Sequence, residues 1–219
     1  MEQVFFWLQI VGIIAFSISG ALISIKSKLD IFGVVIVSTL TSIGGGITRD
    51  LILGHTPPII FSADYLHLII ISLVTGLLTF IFAYIKRKDF FHLKEQVDVV
   101  NNYFDSMGLA VFTIMGVQAT FDYGFSSHAL ICISLGVVSG VGGGVLRDVL
   151  TNSLPYIFTK HIYAVAAILG ATTFYLMRTF IGIEPLSTIV GVLVIFVLRV
   201  LATKFHWKAP KIHIDEQQK

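Results

Sequence analysis

Charge is scarce in this chain. Lys, Arg, Asp and Glu supply 13% of its 219 residues while hydrophobic types supply 55%, and the mean hydropathy is +0.88. That balance suits an integral membrane protein and leaves no room for a separate soluble domain. Cysteine is nearly absent, so the lone Cys132 can form no intrachain disulfide. It reads as a small buried apolar residue. Histidine occurs seven times, at His55, His67, His92, His128, His161, His206 and His213, mostly at the expected ends of apolar segments, where an interfacial side chain is the default. No Cys or His pair has metal-ligand spacing, and there is neither a Walker-type loop nor a nucleophile elbow. The run Gly44-Gly45-Gly46 is no dinucleotide signature, because no strand precedes it and G-x-G-x-x-G spacing is missing. These gaps argue against an enzyme, a resident cofactor or metal, and a nucleic-acid partner.

What the chain has in abundance is long apolar runs. A membrane span needs about 20 mainly apolar residues. Seven segments qualify, approximately Val4 to Ile25, Ile31 to Leu53, Tyr65 to Ile85, Val99 to Ala119, Ser127 to Leu150, His161 to Met177 and Leu186 to Ala202. The first lacks the basic flank of a secretory signal and reads as a retained helix. With seven spans, Lys26, Lys28, Lys86, Arg87, Lys88, Lys94, Lys160, Lys204, Lys208, Lys211 and Lys219 fall on one face, and only Arg178 on the other. The positive-inside rule then places the N-terminus outside and the C-terminal tail, 204–219, in the cytoplasm of a cell inner membrane. The Lys86-Arg87-Lys88 run is read as a topology anchor.

Two of these segments carry the same signature. Gly44-Gly45-Gly46-Ile47-Thr48-Arg49-Asp50 and Gly142-Gly143-Gly144-Val145-Leu146-Arg147-Asp148 lie 98 residues apart, each followed at the same offset by a proline, Pro57 or Pro155. An internal duplication explains the match. A second, weaker correspondence relates Phe16-Ser17-Ile18-Ser19-Gly20-Ala21 to Phe104-Asp105-Ser106-Met107-Gly108-Leu109 at an offset of 88. Each copy contains three spans, and an odd number inverts the second copy. The expected architecture is therefore an all-α single transmembrane domain, 1–219, with inverted repeats over about 4–85 and 99–177, related by an axis in the membrane plane, and an extra helix over about 186–203.

An Arg-Asp pair inside a hydrocarbon span is costly and marks function by default. Three glycines in a helix interior each cost about 1 kcal/mol relative to Ala and let the backbone bend or unwind. Irregular backbone at that depth persists only where protein or water receives its freed polar groups. Segments two and five are therefore expected to break at their glycine triplets, with the two bends meeting from opposite sides near the middle of the bundle. Two structural alternatives stand beside this reading. The glycines also serve close helix packing, and Arg49 with Asp148, or Arg147 with Asp50, would lock the copies together as ion pairs. Pro57 and Pro155 are expected to end or kink their helices.

The duplicated Gly-Gly-Gly-x-x-Arg-Asp with its following Pro, in a seven-span chain of this length, resembles the prokaryotic trimeric intracellular cation (TRIC) channels and the overlapping group with glycine transporter domains. The resemblance covers Phe16 to about Ala171. It implies a homotrimer with a pore inside each subunit, bounded by the second and fifth helices, and conduction of monovalent cations with potassium as the physiological ion. The Lys-Glu-Val motif of animal members is absent, so their lipid-regulated gating is not implied. On that reading, carbonyls of Gly44, Gly45, Gly46, Gly142, Gly143 and Gly144 replace part of the hydration of a passing potassium or sodium ion. Asp50 and Asp148 offset Arg49 and Arg147, and Ser17, Thr48, Asp105 and Ser106 add polar lining. The alternative is a carrier for glycine or a similar zwitterion, with helix N-termini and Arg holding the carboxylate and Asp holding the amine.

Overall fold

The computed structural model describes residues 2–86, 94–159, 162–205 and 207. Eight α-helices occur among them and no strand: α1 Glu2–Lys26, α2 Ile31–Ile52, α3 Leu66–Ile85, α4 Lys94–Asp122, α5 Ala129–Leu150, α6 Tyr156–Thr159, α7 Tyr163–Phe180 and α8 Glu184–Lys204. Two 3-10 turns, Ile59–Phe61 and Ala63–Tyr65, lead into α3. Six helices, all but α6 and α7, are long and apolar enough to cross a membrane. The chain is thus an all-helical, multi-pass membrane protein. The sixth expected span corresponds to α7, which falls short of that standard because its 18 residues include three threonines and Arg178. Its expected start at His161 lies outside the described residues, as do the anchor residues Arg87 and Lys88.

Packing follows chain order. Helices α1, α2 and α3 contact one another, and so do α4, α5 and α7. The two groups meet through α1 against α4 and α2 against α5, while α8 lies against α7 and α4. Bulk at these seams is set by small residues. Phe16 of α1 occupies the place that a side chain at Gly108 would take and stacks on Phe112, with ring centroids 5.4 Å apart. Ile195 of α8 fills the notch at Gly170 of α7 in the same manner. Such close approach is how helices gain van der Waals contact where lipid removes the hydrophobic drive.

The two signature helices end alike. At the end of α2, Gly54 adopts a positive φ of 78°, its N–H donates to Leu51 O, and the His55 N–H donates to Asp50 O. At the end of α5, Asn152 adopts φ 53°, its N–H donates to Val149 O, and the Ser153 N–H donates to Asp148 O. Left-handed caps of this kind satisfy the last carbonyls of a helix, and Gly and Asn are the residues that enter that region most easily. They, and not the prolines, terminate the helices. Pro57 and Pro155 lie in the connections beyond, so neither kinks a span.

Candidate functional site

Helices α2 and α5 run unbroken through both glycine triplets, contrary to the expected breaks. The reason is packing. A Cβ on Gly45 would strike the carbonyl oxygen of Ser139, and a Cβ on Gly143 would strike that of Thr41. The pairing of 45 with 139 and of 41 with 143 means that the helices cross antiparallel, backbone on backbone. Gly142 joins the same contact, 3.1 Å from its would-be Cβ to the Gly45 Cα, and Gly44 receives Leu146. The carbonyls expected to line a path stay within their helices. Thr48 donates back to Gly44 O at 2.9 Å, and Ser106 to Asn102 O at 2.6 Å, so each hydroxyl proton is held by its own helix while the oxygen keeps acceptor capacity.

The crossing also separates the Arg-Asp pairs. Each lies about six residues beyond it in opposite directions, which at 1.5 Å per residue puts them roughly 18 Å apart. No ion pair joins Arg49 to Asp148 or Arg147 to Asp50; each arginine pairs with its own neighbouring aspartate.

At the α2 end, Arg49 donates from Nε and Nη2 to Asp50 Oδ1 at 2.9 and 2.6 Å. Asp50 Oδ2 accepts the Ile59 N–H at 3.0 Å, holding the turn that follows Pro57 and Pro58. Asp50 is buried, whereas Arg49 keeps 13% of its side chain accessible. It borders an open cavity of about 50 Å³, whose polar lining includes Gln9, Ser42, Asp50 and Tyr65. Below that cavity Ser72 bridges Ser17 and Ser42 with two hydroxyl contacts of 2.7 Å. All three serines are buried within the α1–α2–α3 group.

At the α5 end the surroundings are closed. Arg147 is fully buried. Its Nε donates to Asp148 Oδ1 at 2.8 Å, and Nη1 donates to Ser19 Oγ at 2.6 Å and Asp105 Oδ1 at 2.7 Å. Asp148 Oδ2 accepts the Tyr156 N–H at 2.8 Å, after Pro155, as Asp50 does for Ile59. The guanidinium lies over the Tyr156 ring, 4.8 Å from its centroid. Arg199 enters from α8, donates from Nη2 to Asn102 Oδ1 at 2.7 Å, approaches Asp105 Oδ2 at 3.8 Å and lies 4.6 Å over the Tyr163 ring. Removing one member of such a buried charge set leaves another uncompensated, at a cost of about 3–5 kcal/mol.

The structure therefore gathers Asp105, Arg147 and Asp148 into one cluster and Arg49, Asp50 and Gly46 around one cavity, with Ser17 beneath it. Sequence reasoning missed Ser19 and Asn101, to whose Oδ1 Ser19 donates at 2.9 Å, with Asn102, Tyr156, Tyr163 and Arg199 at the closed end and Gln9, Ser42, Tyr65 and Ser72 at the open end. Arg199 carried a usable signal, a lone charge inside an apolar segment. Hydroxyls in apolar helices carry almost none, since most bond their own backbone.

An all-helical membrane fold with a duplicated Arg-Asp site at either end of a glycine-lined crossing defines the class. The family model described as "Glycine transporter" matches residues 6–84 and again 102–179. The UPF0126 inner membrane protein YadS of Escherichia coli K12 is 36% identical over 217 residues, covering 96% of this chain and 97% of its own length. YvgT of Bacillus subtilis 168, a UPF0126 membrane protein, is 32% identical across 93% of this chain and 94% of its own length. Among solved structures, the TRIC channel orthologue of Rhodobacter sphaeroides superposes with a TM-score of 0.82 at 29% identity, covering 93% of this chain and 99% of that one. A prokaryotic TRIC channel in 0.5 M KCl gives 0.82 at 33%, covering 95% and 100%. The chain belongs to this glycine transporter domain (UPF0126) family, which overlaps the prokaryotic TRIC channels.

Proposed function

We propose that the chain is a cation channel of the inner membrane, preferring potassium, that assembles as a homotrimer with one pore inside each subunit. The observation carrying this reading is the likeness to TRIC channels over nearly the whole of both chains at 29–33% identity. In that reading residues 1–219 form a single transmembrane domain of seven spans, with α7 as the sixth. Repeats over about 4–85 and 99–177 are inverted about an axis through the α2–α5 crossing, α8 is added outside them, and 204–219 is a cytoplasmic tail. The double family match and the paired contacts 45–139 and 41–143 support that symmetry.

With the N-terminus outside, the cavity at Arg49 faces outward and the Arg147 cluster faces the cytoplasm. Both arginines are neutralised by carboxylates, which lowers the barrier that a bare guanidinium would raise against a cation. On this reading the path is closed at the crossing, where the glycine backbones approach each other. Opening requires α2 and α5 to bend or part there, and the triplets make that cheap because glycine tolerates many backbone conformations. Carbonyls of Gly44 to Gly46 and Gly142 to Gly144 would then meet the ion.

A carrier for glycine or another small zwitterion is the second reading, favoured by the guanidinium and carboxylate side by side at the open cavity. Recording of the purified protein in planar bilayers under a potassium gradient separates the two. Unitary steps reversing near the potassium equilibrium potential are expected. Silence there, with saturable glycine uptake into proteoliposomes, would replace the channel by the carrier.

A further inference from the structure

The third glycine of each triplet faces side-chain polar atoms and not the backbone of the partner helix. A Cβ on Gly46 would have only Arg49 Nη2 within 4 Å, at 3.9 Å, and one on Gly144 would have Arg147 Nη2 at 3.8 Å, Asp105 Oδ1 at 3.8 Å and Tyr163 OH at 3.1 Å. The outer position opens into the cavity already described. The inner one is enclosed by polar atoms. Two of these, Arg147 Nη2 and Tyr163 OH, are buried without a hydrogen-bond partner among the described residues, and so are Asp105 Oδ2 and Arg199 Nε in the same cluster. A buried polar atom left unpaired costs roughly 1–3 kcal/mol, and Arg147 Nη2 and Tyr163 OH, both facing the space beside Gly144, point to a common partner.

We infer that one water molecule is bound beside Gly144, accepting from Arg147 Nη2 and bonded to Tyr163 OH and the Asp105 carboxylate. The ligand must both accept and donate, because the guanidinium only donates and a carboxylate only accepts. It must also be neutral. Arg147 and Arg199 balance Asp105 and Asp148, so a cation would meet the nearby guanidinium, and an anion the carboxylate, without net compensation. Water meets both conditions, and buried waters typically make about three hydrogen bonds to groups of this kind. The inference gives Gly144 a role that backbone packing does not, and it is independent of whether the chain conducts ions or carries a solute.

The test is a crystal structure of the full chain, at a resolution that reveals other buried waters, from crystals grown in ordinary salt and in thallium or bromide. A compact peak within hydrogen-bonding distance of Arg147 Nη2 and Tyr163 OH, without anomalous signal, is expected. Thallium or bromide signal at that point would make it an ion site and overturn the inference, as would the absence of any peak. In Gly144→Ala the methyl group should expel the water, and a peak persisting unchanged would overturn the assignment. Should that variant fail to fold, Tyr163→Phe leaves the space but removes one partner. Loss of occupancy is then expected, and undiminished occupancy overturns the proposed geometry.

Discussion

Asp105→Asn tests the charge balance of the closed cluster. In the native chain Arg147 and Arg199 face Asp105 and Asp148, all within the bundle and each at most 2% exposed. Replacing Asp105 leaves two guanidinium groups with one carboxylate. Breaking a buried ion pair from one side costs about 3–5 kcal/mol, and at about 2–4 °C per kcal/mol for a chain of this size the midpoint of thermal unfolding should fall by roughly 6–20 °C. The assay is tryptophan or thiol-probe fluorescence during heating in one detergent, with all variants at one concentration. Arg199→Gln alone tips the balance the other way. In the double variant Arg147 and Asp148 remain as a neutral pair, and the new Gln can accept from the new Asn. The double variant should therefore be more stable than the two losses added together predict, by about 0.5–3 kcal/mol of coupling. An Asp105→Asn midpoint within about 2 °C of the native one, or strictly additive losses, would refute the charge argument.

Gly45→Ala and Gly143→Ala should each sharply reduce the yield of folded protein, because their Cβ atoms collide with the carbonyl oxygens of Ser139 and Thr41. Gly46→Ala should fold as well as the native chain or better, having no neighbour nearer than 3.9 Å and gaining helix propensity of about 1 kcal/mol; size-exclusion profiles of the three variants decide. Ser72→Ala strips a partner from both Ser17 and Ser42 and should cost about 1–3 kcal/mol, more than Ser17→Ala, as read by thermal unfolding. Asp50→Asn should destabilise less than Asp105→Asn, since Arg49 reaches solvent through the cavity and an Asn oxygen can still accept the Ile59 N–H. Labelling of a cysteine placed at Asp64 by a membrane-impermeant reagent should succeed from the outside of intact cells, and protection there would reverse the proposed orientation.

The sequence made the helices and the duplicated site legible but not the conformation of the glycines. Apolar length alone located α1 to α5 and α8 to within a few residues, except that α4 begins at Lys94, ahead of the expected Val99. There the amphipathic turn Lys94 to Asp98 continues the helix past the apolar stretch, and Lys26 pairs with Asp98 across it. The triplets misled because flexibility and close packing call for the same residue. Only the partner helix, with a carbonyl where each Cβ would stand, distinguishes them. The motif aspartates were legible as charges but not as turn anchors, a role that depends on the backbone N–H groups of Ile59 and Tyr156 some eight or nine residues downstream.

The two copies of the motif differ in a way that links the acid of α4 to α8. Tyr65 at the open cavity and Tyr163 at the closed cluster lie 98 residues apart, like the arginines. In the first-helix correspondence, however, Ser17 stands where the second copy has Asp105. With a serine there, Arg49 and Asp50 form a neutral pair and need nothing more. With an aspartate, the second copy would carry one excess negative charge at full burial, a state that proteins avoid or neutralise. Arg199 of α8 supplies the missing positive charge, held 3.8 Å from Asp105 and fixed by Asn102 and the Tyr163 ring. The acid and α8 thus depend on each other electrostatically. Together they close the cluster around Arg147, while the cavity at Arg49, lacking both, stays accessible to water.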